Sequence, residues 1–207
     1  MICTITAAAV GAAVFHIIRR CCTRGGISGN ASLRAWICCA SGAAAALYCL
    51  HQYESTGACL TMFGFFCILA AVTLTDLYQR EISDICCAAV IILAFLSVWT
   101  LPGLSLWERA AGGLCVSVPL LLIATVVPGS FGGGDVKLMS ACGIYLGWRI
   151  TVVSAAAAIL SAGCCILYGM IAGRMKKGDA IAFGPFLCMG MLAGLIWGEG
   201  MIRWYVS

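Results

Sequence analysis

Charged residues are scarce in this 207-residue chain. Asp, Glu, Lys and Arg together make up 10% of it, whereas 63% of its residues are hydrophobic. A soluble domain carries roughly 25% charged residues, so this composition excludes an ordinary soluble enzyme and requires a bilayer to cover the apolar excess. The net charge of +4 is modest and gives no reason to expect a nucleic-acid partner.

The chain also lacks any Cys-x-x-Cys spacing, although it contains 15 cysteines. Several cysteines form adjacent pairs, such as Cys38-Cys39 and Cys164-Cys165. Neighbouring side chains on a helix point about 100° apart, which is a poor geometry for sharing a metal ion. We therefore expect small buried hydrophobic residues in a reducing host, and no bound metal.

No basic residue precedes the first apolar stretch, Met1–Ile18, and Arg19 and Arg20 follow it. A cleavable secretory signal has the opposite arrangement. This order predicts a first spanning helix that starts outside the cell and ends in the cytoplasm.

Long apolar runs are abundant, and several reach the ~20 residues needed to cross a bilayer. They predict an all-α fold: a polytopic membrane helix bundle in which six to eight segments span, built as one integral membrane domain over residues 1–207. The sixth of the eight hydrophobic segments is short enough to be a half-helix or a tilted one. The segments are Met1–Ile18, Leu33–Leu50, Gly57–Thr75, Ile85–Leu101, Trp107–Val127, Val136–Trp148, Thr151–Ala172 and Phe183–Tyr205.

Basic residues orient this bundle, because cytoplasmic turns are enriched in Lys and Arg. With the first segment starting outside, nine basic residues fall in cytoplasmic turns and three, Arg109, Arg149 and Arg203, fall on the opposite side. The nine are Arg19, Arg20, Arg24, Arg34, Arg80, Lys137, Arg174, Lys176 and Lys177.

Two acids lie at the ends of apolar runs, and the predicted topology puts both on the cytoplasmic side. Asp76 ends the run 55–75, and Asp135 follows more than twenty uncharged residues and three glycines. An acid beside a membrane segment is costly and indicates a functional site by default. Each also has a plainer interpretation: Asp76 pairs with Arg80 one helical turn on, and Asp135 caps a helix that starts after the glycines.

Two neighbouring stretches complete the candidate region. Glu81 and Asp84 are expected to be solvated turn residues, or, in the case of Asp84, a helix N-cap. Phe183, Gly184 and Pro185 lie after the basic turn and are compatible with an ordinary helix start, since proline is tolerated there.

Together these residues resemble the prepilin peptidase family, membrane aspartic proteases with a Gly-x-Gly-Asp signature. Gly132-Gly133-Gly134-Asp135, followed by Lys137, matches that signature. Asp76 with Ile82-Ser83-Asp84 matches the first family motif, with Ser83 in place of its usual proline. Ala182-Phe183-Gly184-Pro185 matches the closing motif, with Ala182 in place of its first proline.

The resemblance implies a membrane-embedded aspartic endopeptidase that removes short basic leaders from prepilin-like precursors at the cytoplasmic face of the cell membrane. Asp76 and Asp135 would be its catalytic dyad, with no metal or cofactor, and the oligomeric state stays open. Substrate binding or structural support would fall to Gly132, Gly133, Gly134, Lys137, Asp84, Phe183, Gly184 and Pro185.

Longer family members carry a zinc-binding insert with paired Cys-x-x-Cys motifs after the first helix, and this insert accompanies methylation of the new N-terminus. The corresponding turn here, Arg19–Ser32, has no such motif. The resemblance therefore implies a compact peptidase without methyltransferase activity.

A different class of protein fits the same two acids. A small transporter or channel subunit could use Asp76 and Asp135 as a proton or cation relay, since intramembrane acids often serve in relays. Both acids are predicted at one face, and no matching acid at the other face completes a path.

The predicted topology can be tested with reporter fusions. Fusions after Arg20, Gln79, Ser130 and Lys177 should report a cytoplasmic location, and fusions after His51, after Gly103 and at the C-terminus should report the opposite side. If the fusions after Gln79 and Ser130 reported opposite sides, the two acids could not share a site.

Overall fold

The computed structural model describes residues 44–52, 55–127, 131–173 and 181–206, together with the single residues 13 and 42. All regular structure in these residues is helical, which confirms the predicted all-α bundle. The first predicted segment, Met1–Ile18, and the start of the second, Leu33–Leu50, lie outside the described ranges, and residues 44–52 are helical.

Seven helices are fully bounded within the described ranges. They are α1 (Thr56–Gln79), α2 (Asp84–Thr100), α3 (Leu106–Cys115), α4 (Ser117–Val126), α5 (Gly133–Leu146), α6 (Trp148–Ile171) and α7 (Gly184–Val206).

Serine side chains start two of these helices. Ser105 accepts the Glu108 N–H at 3.2 Å, while the Glu108 carboxylate accepts the Ser105 N–H at 3.0 Å, a reciprocal cap for α3. Ser83 accepts the Ile85 N–H at 3.3 Å and is the N-cap of α2. Of the two alternatives for Asp84, the N-cap was therefore wrong by one residue: Ser83 has the extended backbone that a cap needs, and Asp84 begins the helix with an exposed side chain.

The fifth predicted segment, Trp107–Val127, is divided in the structure. Val116 separates α3 from α4, with φ −107° and ψ −39°. Pro119 explains the break, because it has no N–H for the carbonyl four residues earlier and its ring crowds that carbonyl. The two helices together still form one apolar stretch, Leu106–Val126, long enough to cross a membrane.

The short helix α5 is the centre of the bundle. It packs against α2, α3, α4, α6 and α7, and its Leu138, Cys142 and Tyr145 are fully buried. The ring of Tyr145 stacks on Phe65 of α1, with centroids 4.5 Å apart. Neighbouring helices cover most of α5, so its 14 residues need not match the bilayer as a lipid-facing span would.

Glycines allow the closest helix crossings. Gly112 of α3 and Gly143 of α5 meet so tightly that a Cβ on either residue would overlap the carbonyl oxygen of the other. Gly190 and Gly194 of α7 lie similarly against Ala158 and Ser154 of α6. Small residues are typical of helix contacts in membranes, where close van der Waals packing drives association.

Three helical stretches are long and apolar enough to cross a membrane: Thr56–Leu77, Leu106–Val126 and Trp148–Ile171. Two shorter apolar helices, Asp84–Thr100 and Gly184–Gly198, accompany them. The chain is a multi-pass membrane protein.

Chain direction alternates through the bundle, and this alternation positions the site. α6 and α7 are antiparallel, because Gly190 lies near Ala158 and Gly198 near Ile150. The same alternation brings the end of α1 and the starts of α2, α5 and α7 to one end of the bundle. At the opposite end, buried Arg109 donates hydrogen bonds to the carbonyl oxygens of Ser97 and Leu101 at 3.0 and 3.1 Å, where a cation complements the C-terminus of α2.

Candidate active site

Asp76 is buried near the end of α1, with 6% of its surface exposed. Its Oδ2 accepts a hydrogen bond from the backbone N–H of Gly184 at 2.8 Å, across 108 residues of sequence. A buried carboxylate is costly unless donors satisfy it. The N–H at the start of α7 is such a donor, and the positive end of that helix favours the negative charge.

Gly184 leaves no space for a side chain beside this acid. A Cβ at that position would lie 2.7 Å from the Asp76 Oδ2 and 2.9 Å from its Cγ. The glycine therefore lets a helix start approach a carboxylate closely enough for its backbone to donate.

Asp135 lies in the first turn of α5 and is 8% exposed. Its Oδ2 accepts the Gly132 N–H at 3.1 Å. Burial raises the pKa of Asp135 to about 6; the hydrogen bond from Gly132 opposes that rise, and the charge of Asp76 adds to it. The capping interpretation of Asp135 is correct, and the residue is also buried beside a second acid.

Both acids line one cleft of about 360 Å³ at this end of the bundle. The lining residues are Asp76, Arg80, Glu81, Ile82, Asp84, Gly132, Gly133, Gly134, Asp135 and Lys137. Of the ten site residues predicted from the sequence, seven line this cleft, and the other three belong to the start of α7. Gly184 contacts Asp76 directly, whereas Phe183 precedes the helix and Pro185 is its second residue.

Arg80 does not form the ion pair with Asp76 that the plainer interpretation predicted. Its side chain is exposed on the cleft wall, and its N–H donates to the Asp76 carbonyl oxygen at 2.9 Å, closing α1. Among the described residues it is the one non-glycine with positive φ, at 54°. This left-handed turn leads the chain back so that Ile82 packs against Gly134, where an added Cβ would lie 3.0 Å from the Ile82 Cβ.

Lys137 and Asp84 form an ion pair at the cleft, with 2.9 Å between Nζ and Oδ1. The hydrogen bond to Asp84 and its charge raise the pKa of Lys137. Their side chains are 61% and 75% exposed, so the pair adds little stability. It does join the start of α2 to the first turns of α5.

Phe131 was not assigned a role by the sequence, but its ring contacts that of Phe183 edge to face, with centroids 5.2 Å apart. Arg80, Glu81 and Ile82 were also not assigned to the site. Their proximity to Asp76 in the sequence was the available signal, and the left-handed turn at Arg80 is what directs them to the cleft.

The chemistry available in the cleft is that of two interacting carboxylates. Within the described part of the chain, no group of three or more His, Cys, Asp or Glu side chains is arranged to hold a metal ion. Two close carboxylates favour a state in which they share one proton, because both cannot ionise readily. Such a pair can take a proton from water and donate one to a carbonyl oxygen.

A family model described as the type IV leader peptidase family matches residues 63–169, just over half of the chain. The matched region contains both buried acids and ends before Gly184.

Individual relatives bear the name prepilin leader peptidase/N-methyltransferase. The one from Legionella pneumophila is 38% identical over 77 residues, covering 37% of this chain and 26% of the relative. The one from Bacillus subtilis is 29% identical over 148 residues, covering 69% and 58%. The one from Burkholderia pseudomallei is 29% identical over 171 residues, covering 77% and 53%. The chain thus spans between about a quarter and somewhat over half the length of these curated relatives. No solved structure matches it.

Asp135 should make stability depend on pH. Its pKa is higher in the folded state than its ordinary value of 3.8, so the folded protein holds this proton more tightly than the unfolded chain. Stability should fall as pH rises from about 4 to 6, by at most about 3 kcal/mol, and stay lower above that range.

Asp135→Asn removes this ionisation. Thermal melting in detergent should find the variant more stable than the wild type above about pH 7, and the difference should shrink towards about pH 4. An unchanged pH dependence in the variant would contradict a buried, titrating Asp135.

Proposed function

The chain belongs to the type IV leader peptidase family, and from this membership we propose that it is a membrane aspartic endopeptidase that removes leader peptides from type IV prepilin-like precursors. Asp76 and Asp135 form its catalytic dyad. The observation that carries the proposal is that two buried carboxylates from different helices, α1 and α5, line one cleft.

The mechanism depends on one proton that the Asp76 and Asp135 carboxylates share. The ionised carboxylate takes a proton from a water molecule, whose oxygen attacks the scissile carbonyl carbon. The protonated carboxyl donates a hydrogen bond to the carbonyl oxygen and stabilises the charge that develops there. The tetrahedral intermediate then collapses, the C–N bond breaks, and the leaving amine receives a proton from the dyad.

The cleft faces the cytoplasm in this proposal. Arg80 and Lys137 lie at the cleft end, where α7 also starts, and the sequence between α6 and α7 contains Arg174, Lys176 and Lys177. An enrichment of basic residues favours a cytoplasmic location. The protein would thus work in the cytoplasmic membrane, on substrates whose polar leader lies in the cytoplasm and whose apolar segment lies in lipid.

The remaining site residues have supporting roles. Gly133 leaves room for a substrate backbone, because no atom lies within 4 Å of a Cβ placed on it. Gly132 and Gly134 give structural support, because they allow close contact with Asp135 and Ile82. Asp84 and Lys137 hold the starts of α2 and α5 together. Phe183, Gly184 and Pro185 start α7 and supply the donor to Asp76. Residues 1–207 would form one integral membrane peptidase domain.

The relay alternative receives less support from the buried residues. Among the residues whose burial the structure describes, Asp76 and Asp135 are the only buried carboxylates, and Arg109 is a buried charge at the opposite end. Between the two ends, the core around Phe65, Leu138 and Tyr145 is apolar and fully buried. A proton or cation path would have to cross this core without an acid.

Replacing either acid should abolish cleavage. Asp76→Asn and Asp135→Asn each remove a group that general acid–base catalysis needs, so each should reduce processing of a coexpressed prepilin by roughly a thousandfold or more. The double variant should be no worse than either single variant. The mobility shift of the prepilin measures cleavage, and immunoblotting of membranes measures protein level.

Glu108→Gln is the matched control, because it makes the same carboxylate-to-amide change at the opposite end of the bundle and glutamine can still cap α3. It should cleave normally. Substantial cleavage by either Asp→Asn variant would refute the dyad, and altered ion flux in liposomes instead would support the relay.

Gly184→Ala should reduce cleavage strongly while the protein remains in the membrane. Its Cβ would lie 2.7 Å from the Asp76 Oδ2, so the carboxylate or the start of α7 must move. A displacement of about 1 Å at a catalytic group can cost roughly a hundredfold in rate. The control is Gly200→Ala on the same helix, where no atom lies within 4 Å of the added Cβ. Equal activity of the two variants would show that the Gly184 contact does not position Asp76.

A further inference from the structure

Two Phe-Gly pairs flank the buried acids in the same way. Phe131 directly precedes Gly132, whose N–H donates to the Asp135 Oδ2 at 3.1 Å. Phe183 directly precedes Gly184, whose N–H donates to the Asp76 Oδ2 at 2.8 Å. Each phenylalanine is therefore one residue from the backbone group that holds one acid.

The two rings contact each other. Their centroids are 5.2 Å apart and their planes meet at 61°, an edge-to-face arrangement that aromatic rings favour. Both side chains are half-buried and pack against the hydrophobic core. The contact thus joins the backbone entering α5 to the backbone entering α7.

The contact between the two rings is important because α5 and α7 pack mainly on different helices. α5 packs mainly on α2 and α3, whereas α7 packs mainly on α6 and α1. Helices α5 and α7 also pack on each other, but far less than either packs on those neighbours. The ring pair accordingly adds a direct connection between the two helix starts that carry the donors.

Movement at either glycine would reach its carboxylate. A Cβ on Gly184 would lie 2.7 Å from the Asp76 Oδ2, and one on Gly132 would lie 3.3 Å from the Asp135 Oδ2. A shift of either glycine away from its acid would lengthen or break the hydrogen bond that holds the carboxylate.

We propose that Phe131 and Phe183 are positioning residues: their contact sets the separation of Asp76 and Asp135 by fixing the two glycine N–H groups that hold them. The consequence for catalysis rests on the proposed peptidase function, whereas the geometric role does not.

The separation of the acids should be visible in their titration. Two close carboxylates lose their protons in two steps, and the steps lie further apart when the carboxylates are closer. The other titratable groups near the acids are Arg80 and Glu81 after α1, Asp84 on α2, Lys137 on α5 and the Cys188 thiol on α7. Changing either phenylalanine leaves all of these groups in place, so a change in the two steps would report on the acids themselves.

The test is a double-variant cycle with Phe131→Leu, Phe183→Leu and the combination, measured in full-length protein in detergent. Each single change should lower kcat for prepilin cleavage by about tenfold or less and leave KM nearly unchanged. The double variant should be no slower than the slower single variant, because either change already removes the contact. The two pH limits of activity should approach each other by about half a unit or more in every variant.

Phe65→Leu is the matched control, since it disrupts the stacked pair with Tyr145 in the core, away from the cleft. It should lower the melting temperature without moving the pH limits. If Phe131→Leu does not fold, Phe131→Met removes the same ring and has an unbranched, flexible side chain that can adapt to the space left. The proposal would be overturned if the losses of kcat in the two single variants multiplied in the double variant. It would also be overturned if the two pH limits of activity did not move.

Infrared titration of the protonated carboxyl band separates this proposal from the peptidase function. The band is assigned by its loss in Asp135→Asn and Asp76→Asn, and it can be followed in the absence of any substrate. A band that titrates differently in both phenylalanine variants supports the positioning role even if no prepilin is cleaved. Normal cleavage with an unshifted titration would overturn the positioning role and leave the peptidase proposal intact.

Discussion

Burying two carboxylates in an apolar helix bundle is the constraint on which the rest of this structure depends. Each acid needs a donor, and backbone N–H groups at helix starts are the donors that it finds. Asp76 accepts from Gly184 at the start of α7, and Asp135 accepts from Gly132 just before α5. Glycine is required at residue 184 because any side chain would occupy the space of the Asp76 carboxylate.

The arrangement of helices serves this requirement. Because the chain alternates in direction, one end of the bundle collects the end of α1 and the starts of α2, α5 and α7. The central helix α5 is held by close crossings such as Gly112 with Gly143, which fix its height relative to α3. The first turn of α5, and Asp135 with it, is thereby kept beside α1.

Polarity is distributed unevenly around the two acids. Towards the membrane interior, the bundle continues into an apolar core. Towards the cleft, the exposed Lys137–Asp84 pair and Arg80 provide a polar mouth. Burial therefore raises the pKa of Asp135 to about 6 while water can still reach the cleft. A carboxylic acid with a pKa near the working pH is suited to transferring protons, which links this environment to the chemistry we propose.

The sequence alone determined that the protein is a helical membrane bundle, because uncharged runs of this length are typical of spanning helices. It also identified the two acids, because an acid beside a membrane segment is costly and indicates a functional site. The Asp135 cap was likewise readable from the glycines before it. The pairing of Asp76 with Gly184, the break at Val116 and the contact of Phe131 with Phe183 were decided only in the tertiary structure. The local sequence instead predicted that Asp76 forms an ion pair with Arg80, four residues away. Which donor reaches a buried acid depends on how distant helix ends meet, and that is set by packing between segments rather than by the periodicity of any one of them.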